Sequence, residues 1–200
     1  MTPQQPDTRP RALSLRRLIA DPPVAAMIVV LVLAAAWTVL SRVSSTAAGS
    51  VAAPPSPRTG FAAPDFTLDT LAGGQIGLSE LRGRPVMLNL WASWCLPCKV
   101  EMPAIERVYE RHLQDGLVVV GLNVTSQDSE TQARAFVEEF GLTFPIALDR
   151  DGSVSKDYEL MGLPSTYFID REGIVRDVII GGPISEAVML SEIQSLLKEP

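Results

Sequence analysis

The feature that most restricts what this chain can fold into is a mostly apolar run, Pro85-Val86-Met87-Leu88-Asn89-Leu90-Trp91, which leads within four residues to a cysteine pair, Cys95 and Cys98, and then into helical sequence. An apolar run of this length, with no alternation, is the mark of a strand covered on both faces. From about Cys95 to Leu113 the apolar residues Met102, Ile105, Val108 and Tyr109 recur at helical spacing, with Pro103 expected to kink the helix. The expectation is a central strand that hands a cysteine pair to the first turn of a helix.

That placement has chemical content. A cysteine is a nucleophile only as a thiolate, and the unpaired N–H groups and dipole of a helix N-terminus stabilise that charge. Cys95 is predicted to sit at that terminus as the attacking thiol, and Cys98, one turn on, to resolve the mixed disulfide. A metal role fits poorly. A structural zinc site needs four ligands, whereas the 200 residues hold two cysteines and one histidine, His112. No metal and no cofactor is expected.

The rest of the chain supplies the frame. Phe66-Thr67-Leu68 and Gln75-Ile76-Gly77 flank Ala72-Gly73-Gly74 as a short hairpin, and Leu117 to Val124 is a second apolar strand. Ser129 to Phe140 reads as an amphipathic helix ended by Gly141. Ile146-Ala147-Leu148 is a short strand, Ser153 to Tyr158 a short helix, and Ser165–Asp170 with Ile174–Ile180 a hairpin across Arg171-Glu172-Gly173. Ser185 to Leu197 forms the last helix. The order predicts an α/β fold, one mixed β-sheet flanked by helices.

The N-terminal quarter obeys other rules. Pro22 to Ser41 is twenty residues without a charge, long enough at about 1.5 Å per residue to span the roughly 30 Å hydrocarbon core of a bilayer. Arg9, Arg11, Arg16 and Arg17 precede it, and only Arg42 follows before Arg58, so the positive-inside bias predicts a cytoplasmic N-terminus and an extracytoplasmic domain. The predicted layout is a cytoplasmic tail at 1–21, a single transmembrane anchor at 22–41, a Ser, Ala, Gly and Pro-rich linker at 42–61 and a folded domain at 62–200. A cleavable signal peptide, with small-residue sites near residues 47–53, is the competing reading. Beyond residue 58 the chain carries 11 basic and 21 acidic residues, which excludes nucleic acid as a natural partner.

Trp91-Ala92-Ser93-Trp94-Cys95-Leu96-Pro97-Cys98-Lys99-Val100-Glu101-Met102-Pro103 resembles the active-site segment of thioredoxin-like proteins of the TlpA/ResA type, and Gly162-Leu163-Pro164-Ser165-Thr166 resembles that family's cis-proline loop. The resemblance covers about residues 62 to 197. It implies a thioredoxin-like fold, a cis Pro164 beside the cysteine pair, and a Leu163 backbone free to pair with an extended substrate peptide. It also implies a functional glutamate at Glu101. That residue lies three beyond Cys98 on the same helical face, where burial would raise its pKa and let it exchange protons with the resolving thiol. Asn89 stands where thioredoxin has a buried aspartate, which leaves the proton-handling role to Glu101. Trp94, next to the nucleophile, is expected to shield the disulfide on the substrate side.

These readings converge on a membrane-anchored thiol–disulfide oxidoreductase that reduces oxidised client proteins, apocytochrome c among them, and is itself re-reduced by a thiol-transferring membrane protein. The competing functions are a disulfide oxidase and a copper-binding chaperone of the same fold. Met161 lies near the proline loop, but no histidine accompanies it. A peroxiredoxin would need Thr or Ser three residues before its cysteine, where this chain has Ala92.

Overall fold

The computed structural model describes residues 22–43 and 53–198. The expected tail at 1–21 and the linker part at 44–52 lie outside the described residues.

The N-terminal unit is a helix, α1 (Pro22–Val43), of 22 residues opened by two prolines, which suit a first turn whose N–H groups have no partner. Its described side chains from 26 to 38 are all exposed. Among the described residues no helix is long and apolar enough to cross a membrane.

The second unit is built on five strands. After a short antiparallel hairpin, β1 (Thr67–Asp69) and β2 (Gln75–Gly77), come β3 (Val86–Trp91), α2 (Leu96–His112), β4 (Val118–Asn123), α3 (Glu130–Phe140), β5 (Ile146–Leu148), α4 (Ser153–Asp157), β6 (Ser165–Ile169), β7 (Val175–Ile180) and α5 (Glu186–Lys198). The sheet order is β5-β4-β3-β6-β7, with β3–β4 and β4–β5 parallel and β3–β6 and β6–β7 antiparallel. This is the mixed, helix-flanked sheet the sequence predicts, and β1–β2 stands apart as a separate two-stranded sheet.

Every residue of β3 and β4 is buried, as their apolar runs demand. The period of two sorts β3 between the faces. Val86, Leu88 and Leu90 join one core cluster with Val120, Tyr158 and Tyr167, beneath α4 and the segment around 63–81. Met87 and Trp91 join the other, with Met102 and Ile105 of α2, Phe136 of α3 and Met189 and Ile193 of α5. Asn89 shares the second face and therefore points at α2.

Local signals set the helix ends. Ser129 caps α3 by accepting from the Gln132 N–H at 3.2 Å, and Gly141 ends it at φ 61°, a left-handed conformation glycine adopts without strain. The chain meets the fold ahead of residue 62. Gly60 N–H donates to Val175 O at 2.8 Å and Val175 N–H to Phe61 O at 2.9 Å, which tie that segment to β7.

Candidate active site

Strand β3 ends at Trp91, and four residues later Cys95 caps α2. Its backbone is extended (φ −77°, ψ 108°), its sulfur accepts from the Cys98 N–H at 3.2 Å, and Pro97 lies in the first turn. Cys95 and Cys98 form a disulfide. The two sulfurs are not equally reachable: Cys95 retains 4% of its surface and Cys98 none. An attacking reagent therefore meets Cys95 first, with the helix N-terminus behind it to hold a thiolate.

Glu101 is 1% exposed. Its Oε1 accepts from Asn89 Nδ2 at 2.8 Å and its Oε2 from the Ile184 N–H at 3.0 Å. Asn89 also donates to Thr166 Oγ1 at 2.9 Å, so one amide ties α2 to β6 through β3. Burial pushes the Glu101 carboxyl above the ordinary glutamate value of 4.5, against the bonds from Ile184 and Asn89, which favour the carboxylate. A carboxyl raised in this way, on the helical face that carries Cys98, is suited to taking and returning a proton.

The Leu163–Pro164 peptide is cis. Pro164 is buried, its carbonyl accepts from the Gly181 N–H at 2.8 Å, and Ser165 Oγ donates to Gly162 O at 2.7 Å, which closes the loop on itself. Leu163 packs against both core clusters and forms no backbone–backbone hydrogen bond outside them among the described residues. Trp94 is 56% exposed and is held by its indole N–H, which donates to Gln127 O at 2.9 Å. Leu96, between the two cysteines, is 74% exposed, and Met161, ahead of the proline loop, 79%.

Two features of this region carry no local sequence signal that singles them out beforehand. Asp128 braces the loop before the cysteines. Its Oδ2 accepts from Ser93 N–H at 2.7 Å and Asn123 Nδ2 at 2.9 Å, and its Oδ1 from Ser93 Oγ at 2.7 Å and Ser129 N–H at 2.8 Å. Burial raises its pKa, but these bonds outweigh it and hold the carboxyl below its ordinary value. The other feature is the β7–α5 turn, Gly181-Gly182-Pro183-Ile184, with a second cis peptide at Gly182–Pro183. The Gly-Gly-Pro run marks a turn, but nothing in it shows that the turn reaches Glu101.

Known proteins are similar to this chain. Residues 59–178 match the AhpC/TSA family. The thioredoxin-like protein YneN of Bacillus subtilis (strain 168) is 45% identical over 123 residues, 61% of this chain and 71% of its own length. The thiol-disulfide oxidoreductase ResA of Geobacillus kaustophilus (strain HTA426) is 39% identical over 129 residues, 64% of this chain and 73% of its own. A crystal structure from Chlorobium tepidum, described as a thiol:disulfide interchange protein DsbE, superposes with a TM-score of 0.65 at 30% identity and covers 70% of this chain and 98% of its own.

Proposed function

Since the chain belongs to the AhpC/TSA family and is a thiol–disulfide oxidoreductase of the thioredoxin-like, ResA-related kind, we propose that it works as an anchored extracytoplasmic reductase of disulfides in client proteins. The observation that carries this reading is the unequal pair at the start of α2: Cys95 with 4% of its surface open, Cys98 with none, and a buried carboxyl three residues on. In the reducing direction the Cys95 thiolate attacks a client disulfide, and one client sulfur leaves as a thiolate that takes up a proton. Cys98 then loses its proton to Glu101 and attacks Cys95 Sγ. The mixed disulfide breaks, the second client sulfur leaves as a thiolate and takes up the proton held by Glu101, the Cys95–Cys98 bond forms, and two electrons have passed to the client. A membrane dithiol donor restores the pair. Pro164 and the Leu163 backbone are the platform for an extended client segment, with Trp94 beside the nucleophile.

The anchoring rests on the twenty uncharged residues at 22–41, the arginines that precede them and the helix α1 formed there. Apocytochrome c is the client we favour, because its haem-attachment cysteines must be reduced in an oxidising compartment.

Three measurements test the proposal. The full chain in detergent, supplied with dithiothreitol, is expected to accelerate insulin reduction and to lose that activity on Cys95→Ser; an unchanged rate in the variant sinks the enzyme reading. The reduction potential is expected to lie below that of the compartment's oxidants, and an oxidising value reverses the direction. Retention in alkaline-washed membranes, with Cys95 of the reduced protein reactive to an impermeant maleimide in intact cells, is the expected topology; a soluble or maleimide-shielded chain removes the anchor.

A further inference from the structure

Gly182 occupies the gap between the proline platform and the buried carboxyl. A Cβ placed on it would lie 2.7 Å from Pro164 Cγ, 3.2 Å from Pro164 Cδ and 3.0 Å from Glu101 Oε2. The first distance is below any tolerated contact, and the atom it meets belongs to a ring held by a buried loop rather than to a flexible side chain. Conformation does not explain this glycine. Gly181 beside it adopts φ 82°, where side chains are strained, but Gly182 lies outside the left-handed region. It is a glycine for space. The turn around it is bonded on both sides: Gly181 N–H to Pro164 O at 2.8 Å, and Ile184 N–H to Glu101 Oε2 at 3.0 Å.

We infer that Gly182 is a positioning residue of the redox reaction, whose missing side chain lets the β7–α5 turn bring the Ile184 N–H onto Glu101 Oε2 while its backbone packs against Pro164. The inference rests on the reading of Glu101 as the proton partner of Cys98. Its consequence is that platform and proton partner are spaced by one backbone segment. The Ile184 donor favours the carboxylate, so a side chain at 182 that displaces Oε2 from that donor leaves burial less opposed. The carboxyl's other bonded partner is Asn89 of β3, itself bonded to Thr166 of β6, neither of which titrates, and Cys98, three residues back on the same helical face of α2, titrates only when reduced. Lys99 on α2 is half-buried, and Glu186 on α5 pairs at the surface with Arg107 and Arg111.

The test is the reduction potential of the full chain in detergent, measured across pH for the parent, Glu101→Gln, Gly182→Ala and the double variant. Glu101→Gln should abolish a bend in the profile. Gly182→Ala should keep the bend and move its midpoint up by about one pH unit, the size expected for loss of one hydrogen bond to a charged group. The double variant should match Glu101→Gln. A bend that survives Glu101→Gln defeats the proton-partner reading itself. A bend lost in Glu101→Gln but unmoved in Gly182→Ala defeats the role of Gly182 alone. The parent protein gives a readout that does not depend on the variant's folding: the Ile184 amide resonance should titrate with the midpoint of the bend and stop titrating in Glu101→Gln. An Ile184 amide indifferent to pH overturns the inference.

Discussion

Asn89 Nδ2 donates to Glu101 Oε1 at 2.8 Å across the β3–α2 contact, and both side chains are closed to solvent. A neutral donor so placed restrains the carboxyl without fixing its charge. Changing Asn89 to Asp would replace the donor with a second carboxyl at hydrogen-bonding distance, and two carboxylates that close cannot both ionise at neutral pH. Asn89→Asp is expected to shift the pH bend of the reduction potential upward and to weaken the fold as pH rises. A potential profile and stability indistinguishable from the parent's would contradict this.

Glu101 also links stability to pH. Its folded-state pKa is raised above the ordinary 4.5, chiefly by burial, so the folded chain holds this proton more tightly than the unfolded one. The stabilisation that follows is complete below the unfolded value and is lost as pH rises through the folded value. Denaturant titrations between pH 4 and pH 9 should show the parent losing stability relative to Glu101→Gln as pH increases. A difference that stays constant across that range rules the linkage out.

Asp128→Ala removes the acceptor for Ser93 N–H, Ser93 Oγ, Asn123 Nδ2 and Ser129 N–H together. The site is only partly buried, so water replaces some of these bonds, and a loss of about 3 kcal/mol is expected. Hydrogen exchange should quicken at Ser93 and Trp94 ahead of the rest of the sheet. Exchange that quickens evenly over the domain would show that Asp128 does not brace this loop in particular.

Gly121→Ala tests packing behind the site, at the β4 position paired with Asn89. A Cβ there would meet Phe144 Cε2 at 2.8 Å, Ile146 Cδ1 at 2.9 Å and Trp91 Nε1 at 3.1 Å. Overpacking of this kind costs about 1 to 3 kcal/mol. The melting temperature is expected to fall while the reduction potential keeps its parent value, and a shifted potential would mean that Trp91 passes the strain on to the site.

Much of the fold was legible because its signals are local. The mostly apolar run at Pro85–Trp91 reads as a strand covered on both faces, and Ser129 by its side chain and Gly141 by its backbone mark the ends of α3. The burial of Glu101 agrees with its expected place on the face of Cys98, and the cis Leu163–Pro164 peptide with what the family resemblance implied. Pro103, expected to kink α2, lies inside the helix that runs from Leu96 to His112. What the sequence hid are contacts between distant segments. Ile184 reaches Glu101 over 83 residues and Asp128 reaches Ser93 over 35. No periodicity or cap encodes such meetings, because they follow only once β3 has paired with β4 and with β6, and β6 with β7.

The disulfide of this domain is a poor staple. It joins residues three apart, and closing so small a ring removes only about 2 kcal/mol of unfolded-chain freedom, less than half of what a bond across a hundred residues would remove. The architecture leans instead on its two-sided core, which the bond does not cross-link. A protein that must open and close the same covalent link at every turnover is best served by a link its scaffold does not depend on. Here the bond is cargo rather than a strut.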